Sequence, residues 1–97
     1  IHFRAYITYA NIGELGILAL MNRIRDEKLL IAFGFHLRTV RHSKNLTLEA
    51  VADLAGIDFS QVRRIEAGKI NPTISTVQAL AQGLGVEMVD LSGFVVE

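Results

Sequence analysis

The stretch "DFSQVRRIEAGKINP", residues 58 to 72, concentrates the side chains best suited to recognising another molecule. Arg63 and Arg64 are adjacent, Ser60 and Gln61 precede them by less than a turn, and Lys69 and Asn71 follow an Ala-Gly stop. An arginine can donate two hydrogen bonds to guanine O6 and N7, and a glutamine can pair with adenine N6 and N7, each contact being worth about 1–3 kcal/mol of discrimination. An Arg-Arg pair by itself is ordinarily a solvated helix face, so the assignment rests on what positions it. Other chemistries find less support. His2, His36 and His42 have no metal-ligand spacing, and there is no cysteine for a thiolate site, a disulfide or a nucleophile. No Ser-His-Asp grouping and no glycine-rich phosphate loop is present, so neither enzymatic activity nor a cofactor or metal is expected.

The net charge of zero conceals a gradient along the chain. Residues 1 to 28 carry four Lys/Arg against three Asp/Glu, residues 29 to 69 six against four, and residues 70 to 97 none against three. The basic excess therefore sits in the segment that holds the arginines, although two charges make only a weak electrostatic footprint. No stretch approaches the ~20 apolar residues of a membrane span. The run "LGILALM" at 15 to 21 does not resemble a secretory signal, and a soluble, cytoplasmic protein is expected.

The elements that must carry these residues follow from apolar spacing. Leu30, Phe33, Leu37 and Val40 recur at helical intervals and predict a helix over about 29–43. "SKNLT" breaks it, and Thr47 is an apt N-cap for a short helix over 48–55, whose Val51, Ala52 and Ala55 make a close-packing face. Gly56 follows, where a left-handed residue costs glycine least. Asp58 and Gln61 have the spacing of a capping box for a third helix over 59–67, burying Val62 and Ile65 and ending at Gly68. Pro72 forces a loop at "KINPT", and Thr73 caps a fourth helix over 74–84 with Ile74, Val77, Leu80, Ala81 and Leu84 inside. Gly85 stops it. A short turn "VEMVDL" precedes "SGFVVE", an apolar tail or a short strand. "IHFRAYITY" alternates apolar and polar residues as a strand would, and residues 1–20 are either a natural extension or an appendage to a domain that starts near Met21.

Two short helices joined by a three-residue turn in "LEAVADLAGIDFSQVRRIE" meet the requirements of a helix-turn-helix. Ala52 permits close approach, Gly56 makes the turn, and Val62 with Ile65 anchors the second helix. Its N-terminal half then projects where it can enter a major groove.

Through "LRTVRHSKNLTLEAVADLAGI", "RRIEAGKINPT" and "LAQGLGV", residues 29 to 91 resemble the lambda-repressor-like (Cro/cI-type, XRE-type) helix-turn-helix transcriptional regulators of bacteria and their phages. The resemblance implies an all-α, compact bundle of about five helices that binds double-stranded DNA as a homodimer, reading a palindromic operator with its third helix. It places Ser60, Gln61, Arg63 and Arg64 on the base-reading face, with Phe59 at its start. It places Thr47, Lys69 and Asn71 near phosphates, and it makes Arg41 and Glu66 a structural ion pair between the first and third helices. Leu48 and Phe59 stand where the family commonly has polar residues, and Asp58 repels phosphate. Phe59 is expected to pack on Leu48 more than to meet a thymine methyl.

The chain divides into a lead-in at 1–28, the DNA-binding domain at 29–91 and a tail at 92–97. Val86, Val89 and Leu91 are expected to close the core, which leaves Phe94, Val95 and Val96 as the dimer interface. His36 and His42 are expected to be solvated, with His42 beside a phosphate as a further option. The leading reading is a repressor in the nucleoid. The alternatives are an antitoxin-like module whose protein partner binds the N-terminal segment or tail, and a scaffold that has lost DNA binding.

Overall fold

The computed structural model describes residues 25–96. Five α-helices follow one another: α1 Glu27–Ser43, α2 Leu48–Ala55, α3 Phe59–Glu66, α4 Ile74–Leu84 and α5 Met88–Ser92. The described residues contain no strand, so the tail after α5 is irregular chain and not the short strand its pattern allowed, and the expected N-terminal strand lies outside the described residues.

The helix starts are set by short polar caps. Thr47 Oγ1 accepts from the Ala50 N–H at 3.1 Å, and Thr73 Oγ1 accepts from the Thr76 N–H at 3.1 Å. α1 begins two residues earlier than apolar spacing predicts, because Asp26 caps it by accepting from the Leu29 N–H at 3.1 Å. α2 ends at Gly56, which takes φ 69°, and the Ile57 N–H then closes back on the Ala52 carbonyl at 3.0 Å. That reversal is what turns α3 across α2.

The core lies where α1, α2, α3, α4 and α5 converge. Leu37, Val51, Val62, Ile65, Leu80 and Leu91 are fully buried, each contributing about 1.5–3 kcal/mol by leaving water. α2 packs on α3 and α4, α1 packs on α3 and α5, and α5 also meets α4. At Gly34 the backbones of α1 and α3 nearly touch: a Cβ there would come within 2.5 Å of the carbonyl oxygens of Ile65 and Glu66. The expected core differs at two positions. Ile74 is 78% exposed and Val89 is 69% exposed, each at the rim of a short helix with no layer over it.

Candidate nucleic-acid interface

α3 is eight residues long, and two buried side chains, Val62 and Ile65, hold it against the body. Their three-residue spacing leaves Arg63 and Arg64 on exposed faces, with Ser60 and Gln61 half-buried beside them. Ser60, Arg63, Arg64, Ala67 and Lys69 together line a shallow recess of about 330 Å³. Three cationic side chains and a hydroxyl therefore converge from the helix and the loop behind it. Gln61 and Phe59 sit outside this recess, Phe59 being 42% exposed at the helix start. Thr47 is exposed at the N-terminus of α2, and Asn71 lies with Pro72 beside a separate apolar groove.

Asp58 starts α3 in a way the sequence pattern does not anticipate. Its carboxylate accepts from the Ser60 N–H at 3.1 Å and from the Ser60 hydroxyl. Ser60 closes the cap in place of the reciprocal Gln61 pairing of a capping box, since its short side chain reaches the carboxylate from two residues away. The Ser60 hydroxyl bond and then its backbone N–H hold the Asp58 carboxyl below its ordinary value against an opposing effect of desolvation, with lesser help from the Gln61 N–H and the Arg64 charge. Two consequences follow for recognition. The helix start carries a negative charge, and the Ser60 hydroxyl, donating to Asp58, leaves its lone pairs outward to accept.

Behind the exposed face, Arg41 of α1 grips Glu66 of α3 with two parallel bonds. Its Nε donates to Oε2 at 2.7 Å and its second terminal nitrogen donates to Oε1 at 3.0 Å. The remaining terminal nitrogen donates to the Leu46 carbonyl at 2.9 Å, tying the α1–α2 loop into the same joint. Both side chains are nearly excluded from water, 9% and 7% exposed, so this is a positioning device and not a reading group.

Two contacts lie beyond sequence reasoning. Arg25 donates from Nε to Glu27 at 2.8 Å and from a terminal nitrogen to the Lys69 carbonyl at 2.7 Å, pinning the loop after α3 to the start of α1. No local signal marks a partner 44 residues away. His36, expected to be solvated, instead pairs through Nε2 with the Asp90 carbonyl at 2.6 Å. A carbonyl only accepts, so Nε2 carries the proton. The His36 ring also stacks on Phe94 at 5.6 Å, and Phe94 lies 5.8 Å from the Phe33 ring. Phe94 therefore packs against its own chain, and only Val95 and Val96 of the expected dimer surface point outward, 78% and 44% exposed. His42 is exposed near the C-terminus of α1. Among the described residues no helix is long and apolar enough to cross a membrane, and no group of His, Asp and Glu could hold a metal ion.

Comparison with known proteins bears on this arrangement. Residues 37–91 match the helix-turn-helix family model HTH_3. An uncharacterised HTH-type transcriptional regulator of Sinorhizobium fredii is 38% identical over 58 residues, covering 60% of this chain and 75% of the relative. The immunity repressor protein of Bacillus phage phi105 is 30% identical over 60 residues, covering 62% of this chain but only 42% of that protein. Among solved structures, the restriction-modification controller protein C.AhdI from Aeromonas hydrophila superposes with a TM-score of 0.63 at 37% identity, over 64% of this chain and 94% of that one.

Proposed function

Since this chain belongs to the HTH_3 helix-turn-helix family, a family of DNA-binding transcription regulators and not of enzymes, we propose that it reads a specific DNA site by inserting α3 into the major groove. The observation that carries this reading is the convergence of Arg63, Arg64, Ser60 and Lys69 on one exposed recess while Val62, Ile65 and Glu66 lock the opposite side of the helix. Arg63 and Arg64 donate to guanine edges. Gln61 pairs with adenine, and Ser60 accepts from the amino group of adenine or cytosine. Phe59, partly exposed at the helix start, offers a face for a thymine methyl.

Phosphates are held from the two ends of the motif. The Thr47 hydroxyl accepts from the Ala50 N–H, which leaves its own proton to donate to a phosphate at the N-terminus of α2. Lys69 and Asn71 follow α3 on the other side, where Lys69 supplies charge and Asn71 an amide. One short helix covers few base pairs, so a two-fold homodimer on a palindromic site, with half-sites about 34–36 Å apart or a multiple of that, supplies the remaining specificity. Val95 and Val96 are the exposed part of the tail available to such a dimer. Occupancy of an operator makes the protein a repressor acting on the nucleoid in the cytoplasm.

Selection from a random duplex pool, followed by salt titration, tests this. Arg63→Ala is expected to relax one G·C position by about 1–3 kcal/mol, whereas Lys69→Ala weakens all sites alike and lowers the salt slope by about one. Equal, weak binding of the unaltered chain to every sequence would reduce the interaction to phosphate attraction and refute the reading.

A further inference from the structure

One side of α1 takes no part in the surface described above. Ile31 and Phe35, one turn apart, are 58% and 70% exposed, and Val95 of the tail faces them at 78% exposure. A groove of about 720 Å³ runs between α1 and residues 93–95, with Ala32, Phe35, His36 and Phe94 in its lining, Lys28 and Thr39 toward its ends, and no residue of α3. Its far wall is firm, because Phe94 is held by Phe33 and by the ring of His36.

Among the described residues, the charge around this groove is one-sided. After Glu27, α1 contains no acidic residue, while Lys28 and Arg38 lie exposed on either side of the Ile31–Phe35 pair. The neighbouring carboxylates are already engaged: Asp26 caps α1 at the Leu29 N–H, Glu27 pairs with Arg25, and Asp90 accepts from the Glu87 N–H at the start of α5. Among the described residues neither Lys28 nor Arg38 forms an ion pair. Two cations without an ion pair, bracketing two exposed apolar side chains beside this groove, define the complement. We infer that this face docks an amphipathic helix of a partner protein, one whose apolar stripe fills the groove and whose acidic residues meet Lys28 and Arg38. Nucleic acid is the weaker fit, since a phosphate backbone leaves Ile31, Phe35 and Val95 in water. The site shares no residue with the reading helix, so a bound partner leaves α3 free, and the inference stands whether or not the chain reads DNA.

The test uses the full chain and two fluorescein-labelled 18-residue helical peptides with leucines at heptad positions a and d. One peptide carries glutamates at the flanking positions and the other carries lysines. Fluorescence anisotropy should show saturable binding of the glutamate peptide, about tenfold or more tighter than its lysine twin. Phe35→Ser should weaken it by about tenfold or more, and Lys28→Glu with Arg38→Glu should reverse the preference between the two peptides. These side chains are exposed, so the thermal melt of each variant followed by circular dichroism should match the parent. Four outcomes would overturn the inference: equal affinity for both peptides, affinity for neither, displacement of the glutamate peptide by short duplex DNA, or a dimer that Phe35→Ser converts to monomer in sedimentation.

Discussion

Removing Glu66 should cost far more than removing an ordinary surface acid, and the geometry says how much. Its partner Arg41 is 9% exposed and donates three hydrogen bonds, two to Glu66 and one to the Leu46 carbonyl. Glu66→Ala withdraws two of those acceptors and leaves a guanidinium charge out of water with one carbonyl for company, a loss of about 3–5 kcal/mol. A domain of this size has a total stability of about 4–11 kcal/mol, so the variant should melt at least ~12 °C lower and be partly unfolded at 37 °C. Arg41→Met reverses the fault by stranding the Glu66 carboxylate. Arg41→Met combined with Glu66→Ala removes both charges and should cost much less than the sum of the single changes, with a coupling of about 3 kcal/mol. Urea denaturation of the four proteins at pH 7 gives the full cycle. A Glu66→Ala cost under about 1 kcal/mol with additive double-variant behaviour would mean the pair acts like an exposed salt bridge, and the positioning argument would fail.

Other consequences are as direct. Gly34→Ala should destabilise by about 1–3 kcal/mol or more despite alanine's better helix propensity, because its Cβ would meet the Ile65 and Glu66 carbonyls at 2.5 Å; an unchanged thermal midpoint would contradict the α1–α3 contact. Asp58 titrates below its ordinary value in the folded chain, so its stabilising effect is fully present above the unfolded carboxyl pKa of about 3.9 and is lost as pH falls through the lower folded value. Asp58→Asn should therefore flatten the acid limb of the stability curve between pH 5 and 3, and a parallel curve would show the cap carries no such linkage. Phe94→Ala should cost about 1–2 kcal/mol, less than a fully buried phenylalanine, and shift the His36 ring resonances as the stacked ring is lost; unmoved resonances would show that the tail does not pack there.

How far the site could be read from sequence depends on the range of the interactions involved. Thr47, Gly56 and Thr73 act on residues within four positions, so their residue types alone place the ends of α2 and the start of α4. Asp58 shows the limit of such local patterns. A carboxylate followed by both Ser60 and Gln61 has two competing partners, and the shorter, nearer serine closes the cap, which engages the Ser60 proton at the helix start. Ile74 and Val89 obey helical spacing but are exposed, since periodicity identifies a face and not whether anything covers it. Phe94, an apolar residue in a tail, fits an interface and a core lid equally well until His36 and Phe33 are seen beneath it.

The sequence by itself determined α2, α3 and α4, the caps at Thr47 and Thr73, the helix-turn-helix and the arginine-bearing segment, because each is governed by short-range backbone energetics and by a periodic apolar pattern that must meet a core. The tertiary structure decided what those helices bring together: Lys69 into the recess of Arg63 and Arg64, Arg25 onto the Lys69 carbonyl, His36 onto the Asp90 carbonyl, and Ile31, Phe35 and Val95 around an open groove. These contacts span up to 60 positions or so of chain. Their partners are chosen by the directions in which the packed helices cross, and no local preference encodes that.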